Sequence, residues 1–291
     1  MLVVVGLGYA GCAVARDAAK AGWAVAGTAR DPVAAAPPPG VTLLPFAQAG
    51  PAIGRASHLL VTAPPGEAGD PVIAAHGPAL EAALAAGRLR WVGYLSTTGI
   101  YGDREGASVD ETTPPAPGQP RSRRRLEAER AWRVLLAGRA ALDLFRAGGI
   151  YGPGRSALDD LRAGKARRVV KAGHAFTRIH RDDIARAVLA AARQPLPPGI
   201  RVLHLVDDEA AEAAEVVAHA AGLLSLPVPP AMPFEEARRH MSPTALSFWA
   251  ESRRVANAAT KAALGIAWRH PTYREGLAAI LEEERREGLA Q

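Results

Sequence analysis

Three glycines near the head of the chain, in Gly6-Leu7-Gly8-Tyr9-Ala10-Gly11, have the spacing that brings a backbone up against a pyrophosphate. The apolar run Leu2 to Val5 precedes them, and Ala10 to Ala19 reads as a helix. In that setting each glycine has its own task. Gly6 permits the tight turn off the strand, and Gly8 leaves no Cβ between backbone and phosphate. Gly11 lets the helix pack close to the strand, so that the N–H groups around Tyr9 and Ala10 point at the anion. A Gly-rich turn kept only for packing is the alternative, and the strand-turn-helix context favours the nucleotide site.

The next chemistry-bearing position follows from the same geometry. In an NAD-preferring site an acid at the end of the second strand, about 20 residues past the glycines, accepts the ribose hydroxyls. Here the run is Gly27-Thr28-Ala29-Arg30, with alanine where the acid belongs and a guanidinium next to it. Arginine pairs with a 2′-phosphate through two N–H groups. NADP is therefore the expected cofactor, with NAD possible through Asp31. Ala63, closing the fourth strand candidate, is expected beside it. Arg30 as a solvated loop residue is the plainer alternative.

These residues need a frame, and the chain supplies one. Short apolar runs alternate with amphipathic stretches, the pattern of parallel strands joined by crossover helices. Strands are expected at Leu2–Val5, Ala24–Thr28, Val41–Pro45, His58–Ala63, Trp91–Ser96, Leu142–Arg146 and Val202–Val206. Helices are expected over Ala10–Ala21, Asp70–Ala86, Arg123–Arg139, Arg181–Arg193 and Ala211–Ala221. The fold class is α/β, a doubly wound Rossmann sheet with a small carboxy-terminal substrate lobe. Residues 1–150 are expected to form the nucleotide-binding core. Residues 151–291 are expected to hold the remaining core elements interleaved with that lobe, including a Pro-interrupted stretch from Leu224 to Ala250.

Composition narrows the function classes. The 291 residues are 48% hydrophobic, enough for a substantial core, and no apolar run is long enough to span a membrane. No signal-like segment opens the sequence, so a cytoplasmic location is expected. The lone Cys12 excludes an internal disulfide. It falls in the first turn of the phosphate-binding helix, where a small apolar residue suits the packing better than a redox role. The net charge of +6 comes from scattered arginines, clustered only at Arg121 to Arg125 and not interleaved with aromatics, so no nucleic-acid partner is expected. No Gly-x-Ser-x-Gly elbow is present, and the spacing of His, Asp and Glu suggests no metal site.

Four blocks carry a family resemblance: the glycine loop, Ser96-Thr97-Thr98-Gly99-Ile100-Tyr101-Gly102-Asp103, Gly148-Gly149-Ile150-Tyr151-Gly152-Pro153-Gly154-Arg155 and Arg178-Ile179-His180-Arg181-Asp182-Asp183-Ile184-Ala185. In order and spacing they cover roughly residues 1 to 190. Ser252 to Asn257, followed by Leu264-Gly265, is similar to the family's closing segment. The chain resembles an atypical extended short-chain dehydrogenase/reductase of the NAD(P)-dependent epimerase/dehydratase-like family. The resemblance implies a Ser/Thr at the end of the fifth strand and a Tyr-x-x-x-Lys on the next helix. The lysine lowers the phenol pKa from its ordinary value of about 10, so that tyrosinate can exchange a proton.

Here the chain departs from the family. Thr97 falls at the Ser/Thr position, but the tyrosine and lysine positions fall on about Arg121 and Arg125. A guanidinium stays protonated, so neither can act as acid/base, although either can polarise a carbonyl or hold an anion. A solvated helix start with an Arg125–Glu129 i,i+4 pair is the competing reading. Substitute acids are Tyr101, at the end of the fifth strand, and Tyr151, after the sixth. Both also suit structural packing. A histidine ordinarily titrates near neutrality, so His180 is a further candidate at the substrate side, with a structural role beside Asp182 and Asp183 as the plainer alternative. Asp182 and Asp183 most simply open the following helix.

Three functions remain open. One is an NAD(P)-dependent oxidoreductase or epimerase/dehydratase with a rearranged acid/base, acting on a small molecule with a carbonyl or hydroxyl. The second is a catalytically silent NADP(H) sensor of the same fold. The third is a nucleotide-sugar-modifying enzyme, with Arg155, Arg178 and Arg181 as conceivable diphosphate ligands. The enzyme reading predicts a phenol or imidazole in the cleft, and a monomer or homodimer suits all three.

Overall fold

The computed structural model describes residues 1–31, 36–195, 197–286 and 288. Its centre is a sheet of seven strands: β1 (Leu2–Val5), β2 (Val25–Ala29), β3 (Val41–Pro45), β4 (His58–Val61), β5 (Trp91–Thr97), β7 (Ala141–Ala147) and β12 (Gly199–Leu205). All run parallel, in the order β12-β7-β5-β4-β1-β2-β3. The order turns back between β1 and β4, which opens a crevice at the carboxyl ends of those strands. The sheet is the expected one, and its seven expected strands lie within three residues of the observed bounds. Buried on both faces, the interior strands are mostly apolar, as parallel strands are, with Asp143 and Arg146 of β7 as buried charged exceptions.

Helices cover the two faces. Helix α1 (Tyr9–Lys20) and α6 (Arg181–Ala192) pack side by side on one face, their alanines permitting close approach. The other face carries α2 (Gly50–Arg55), α3 (Pro71–Ala85) and α4 (Pro120–Leu136). Asp70 ties two of these together: it caps α3 by accepting from the Val72 and Ile73 amides, and it accepts from the Trp132 indole of α4. Helix α4 begins three residues earlier than its sequence suggests, because Pro120 supplies a preset first turn.

The rest of the chain is assembled from short strand pairs. Strand β8 (Gly149–Tyr151) runs parallel to β11 (Arg178–His180), and β9 (Arg168–Val170) parallel to β14 (Ala231–Pro233). Strand β10 (Ala175–Phe176) opposes β13 (Ala211–Glu212), while β6 (Ser108–Val109) lies parallel to β15 (Arg254–Val255). Helices α5 (Ala157–Arg162), α7 (Ala213–Leu223) and Tyr273–Arg286 enclose an apolar cluster there. The stretch 224–250 holds two short helices, Phe234–Ala237 and Pro243–Trp249. Among the described residues, no helix is long and apolar enough to cross a membrane.

Candidate functional site

The glycine loop leaves β1 and enters α1 at the crevice. Gly6 holds φ +108°, and a Cβ there would lie 2.7 Å from Thr62 Oγ1. Its amide donates to Thr28 Oγ1 at 3.1 Å, and its carbonyl accepts from Thr62 Oγ1 at 2.5 Å. The turn is thus pinned to β2 on one side and to the end of β4 on the other. A Cβ on Gly11 would stand 2.1 Å from the Gly6 carbonyl oxygen, so the helix can seat only without one. Gly8 is the opposite case: a Cβ there would meet nothing within 4 Å. The loop therefore closes tightly on its own strand and is open at Gly8, the glycine expected from the sequence to face a phosphate. Ala63 sits against the turn, its amide donating to the Val5 carbonyl.

Around this loop the other expected positions are occupied as follows. Arg30, just past β2, is exposed and has no hydrogen-bonding or charged partner among the described residues. Cys12 points its thiol at the Leu7 carbonyl, and burial pushes its pKa up, which suits packing. Tyr9 donates to the Pro153 carbonyl at 3.0 Å, with the guanidinium carbons of Arg155 and Arg181 5.5 and 5.1 Å from its ring centre. Arg155 and Arg181 are therefore engaged in docking the Tyr151-to-Arg155 turn against α1.

A second opening lies at the carboxyl ends of β5 and β7, bounded by β10, β11 and the Pro243–Trp249 helix. Its volume is about 300 Å³. Thr97 lines it, with Oγ1 accepting from the Gly99 amide and so capping the 3-10 turn Thr98–Tyr101. Arg121, Arg178, Glu251, Arg253, Phe176 and Phe248 supply its charged and aromatic lining. Arg121 lies in the first turn of α4 with its guanidinium carbon 3.7 Å from the centre of the Phe248 ring. Arg178 gives Nη1 to the carbonyls of Phe176 and Ala211 at 2.8 and 3.0 Å. Glu251 accepts from Arg253 at 3.0 Å through Oε2, and its buried Oε1 has no partner among the described residues.

The structure thus brings Thr97, Arg121 and Arg178 to one cleft and keeps the other expected residues out of it. Tyr101 is wholly buried. The turn that Thr97 caps rolls its ring under the sheet, into a chain running Ser96–Glu129–Arg146–Tyr101–His204. His204 Nδ1 faces the Ala256 carbonyl at 2.7 Å and must donate to it, so Nε2 is the acceptor for the Tyr101 hydroxyl at 2.5 Å. Burial raises the Tyr101 pKa above its ordinary value. Tyr151 is also buried, its hydroxyl donating to the Thr272 carbonyl, and burial followed by the charge of Asp207 pushes its pKa strongly up. A Cβ on Gly276 would collide with that ring, so Tyr151 packs against the Tyr273–Arg286 helix.

Arg125 does not pair with Glu129. It donates to the Leu95 carbonyl at 2.9 Å and the Tyr94 hydroxyl at 3.3 Å, because Glu129 is taken by Arg146 in a buried ion pair at 2.8 Å. His180 is 2% exposed and accepts the Asp182 amide, capping α6. Burial and the neighbouring His270 depress its pKa to about 3, so it stays neutral. Its ring meets His270 and Asp183 with potential ligand atoms within 4.8 Å of one another. Both Asp183 oxygens, however, already accept the Arg269 and His270 amides. The trio fastens the carboxy-terminal segment to α6.

Asp207 adds an electrostatic detail that the sequence did not signal. It follows β12, is 3% exposed, and neither carboxyl oxygen has a hydrogen-bonding partner among the described residues. Burial raises its pKa to about 8, with nearby Arg178 only partly offsetting the shift. The raised pKa weakens its charge pairing with Arg178 near neutral pH.

Glu251, Arg253 and Phe248 were missed as site residues. The only signal was indirect: Arg253 belongs to the closing segment Ser252 to Asn257, whose β15 pairs with β6 and swings the preceding residues to the cleft.

No family model and no curated protein matches the sequence. Among solved structures, a conserved protein of unknown function from Silicibacter pomeroyi is 40% identical, covers 97% of this chain and 98% of its own, and superposes with a TM-score of 0.86. A UDP-glucose 4-epimerase from Thermus thermophilus, solved with NAD, is 22% identical over 98% of this chain and 99% of its own, with a TM-score of 0.72. The human epimerase family protein SDR39U1, solved with NADPH, is 18% identical over 97% and 99%, also at 0.72. This protein belongs to the family of the Silicibacter pomeroyi protein, on the Rossmann fold shared by NAD-dependent epimerases and dehydratases.

Proposed function

We propose that this protein is an NAD(P)-dependent oxidoreductase with the cofactor's pyrophosphate over the glycine loop and its substrate in the cleft beside Thr97. One observation carries the reading: Gly6 and Gly11 have no room for a side chain, whereas Gly8 faces open space. That cradle fits a dinucleotide. The nicotinamide, when bound, supplies the hydride acceptor or donor, and relatives of the same fold hold NAD or NADPH.

The chain's own residues do the rest. The exposure of Arg30, just past β2, supports a contact with a 2′-phosphate and so an NADP preference. Thr97 offers a hydroxyl to a substrate oxygen, and Arg121 offers a permanent positive charge to a carbonyl or an anion. No tyrosine or histidine lines the cleft among the described residues. Glu251 is the one carboxyl among the described residues there, and together with the Thr97 hydroxyl it is the group available to handle a proton. The absence of a phenol or imidazole favours the silent NADP(H) sensor as the second reading. The carboxyl and hydroxyl in the cleft keep the enzyme in front.

Titrating the purified, cofactor-stripped protein with NADPH and NADH, followed by tryptophan fluorescence, tests the reading. Saturable binding with NADPH preferred supports it. Absence of binding by either nucleotide would remove the enzyme and the sensor together. Turnover of a carbonyl panel by wild type, lost in Glu251→Gln while NADPH affinity holds, would separate enzyme from sensor.

A further inference from the structure

The cleft beside Thr97 carries more positive charge than its own acid can neutralise. Three guanidinium groups, Arg121, Arg178 and Arg253, face one carboxylate, Glu251, an excess of two positive charges. Glu251 is taken by Arg253, which also donates to the Gly102 carbonyl at 2.7 Å. Arg121 makes no hydrogen bond among the described residues and is held by its stack on Phe248. Arg178 uses Nη1 on two carbonyls, which fixes its plane and leaves Nε and Nη2 for another acceptor. Asp207, the acid nearest in charge to Arg178, makes no side-chain hydrogen bond to it. A guanidinium oriented by two carbonyls, in the same cleft as one held by an aromatic ring and making no hydrogen bond among the described residues, is an arrangement suited to a planar or tetrahedral oxyanion.

Size and lining restrict the rest of the ligand. At about 300 Å³ the cleft lies at the bottom of the range of small-molecule sites, roughly 300–1,000 Å³. Phe176 and Phe248 contribute apolar surface to its lining. A nucleotide sugar needs a longer trough with cations spaced along it for the diphosphate. Arg155 and Arg181, which could have extended such a trough, are stacked on Tyr9 instead.

We infer that the substrate taken here is a compact organic oxyanion, one carboxylate or phosphate group on a small flat or apolar body, gripped by Arg121 and Arg178. This rests on the oxidoreductase reading for its status as a substrate, but the anion site can be measured separately. The probes are benzoate, phenyl phosphate, the neutral benzamide and UDP, titrated calorimetrically against the protein with and without saturating NADPH.

Benzoate or phenyl phosphate should bind at least about tenfold more tightly than benzamide, and the better of the two identifies the anionic group. Arg121→Ala should weaken that probe about tenfold or more; its side chain is exposed and makes no hydrogen bond among the described residues, so folding is not at risk. Arg178→Lys, which keeps the charge and loses the fork, should weaken it less. Equal binding of benzoate and benzamide overturns the inference, as does UDP binding more tightly than either anion. If NADPH fails to bind while the charge preference and the Arg121 effect persist, the oxidoreductase reading falls and the anion site stands.

Discussion

Replacing Gly8 with alanine should leave the fold standing and remove the cofactor, whereas the same change at Gly11 should loosen the fold itself. At Gly8 the backbone is already at φ −83°, a conformation alanine adopts freely, and a Cβ meets nothing within 4 Å. Losing glycine at a helix N-cap costs about 0.5–1 kcal/mol, a small shift in melting temperature for a chain of this size. The new methyl instead fills the space where the pyrophosphate must touch backbone, so NADPH affinity should fall at least about tenfold. At Gly11 the Cβ would lie 2.1 Å from the Gly6 carbonyl oxygen, backbone against backbone, where ordinary contact begins near 3.4 Å. Neither side can swing away, so α1 must lift by more than an ångström. Overpacking of this kind costs about 1–3 kcal/mol, and alanine's better helix propensity returns only about 1 of it. The net loss should lower the melting temperature by several degrees and cofactor affinity with it. Thermal melts and NADPH titrations of both variants decide the matter. A Gly8→Ala protein that binds NADPH like wild type, or a Gly11→Ala protein as stable as wild type, would refute the assignment of these two roles.

Arg30→Ala should weaken NADPH about tenfold or more and leave NADH nearly unchanged; equal losses for both would sink the 2′-phosphate role. Tyr101→Phe leaves Arg146 and His204 each short of a partner, so denaturant melts should show a loss of about 1–3 kcal/mol while NADPH affinity stays put. Asp207 binds a proton in the folded state up to about pH 8 that the unfolded chain releases near 4. Its contribution is therefore a stability that declines as pH rises across that interval, by at most about 1.4 kcal/mol per unit, and levels off above it. Asp207→Asn should flatten that slope in urea melts between pH 5 and 8, and an unchanged slope would show that this carboxyl ionises normally.

What the sequence disclosed follows distance along the chain. The glycine loop was legible because its strand, turn and helix are contiguous and each spacing has one geometric meaning. The strands were legible because burial of the interior strands on both faces favours short, mostly apolar runs. Helix α2 was not, since Gly50, Pro51 and Gly54 argue against a helix and only its packing on α3 holds it. The tyrosines show the limit most clearly. Tyr101, expected at the end of the fifth strand, lies four residues past it in the turn Thr98–Tyr101, while Tyr151 closes β8, and the direction each ring takes depends on these local turns. One ring is drawn inward by a buried arginine and a histidine far along the chain, the other by Gly276. The cleft's wall was hidden for the same reason: Phe248, Glu251 and Arg253 reach Thr97 from about 150 residues away, through a pairing of two-residue strands.

The buried chain from Ser96 to His204 has a consequence for how wide the cleft can open. Glu129 belongs to α4, two turns beyond Arg121, and His204 holds the carbonyl of Ala256, shortly after Glu251 and Arg253. Arg146, on β7 beside the edge strand β12, joins the two ends through Glu129 and the Tyr101 hydroxyl. Both jaws are in this way bolted to the sheet from beneath, and a charged link of this kind has nowhere to slide once it is dry. The gap between Arg121 and Arg253 then behaves as a fixed gauge. A ligand that fits loses little in ordering the walls, and one that is too bulky must break the bolt to enter.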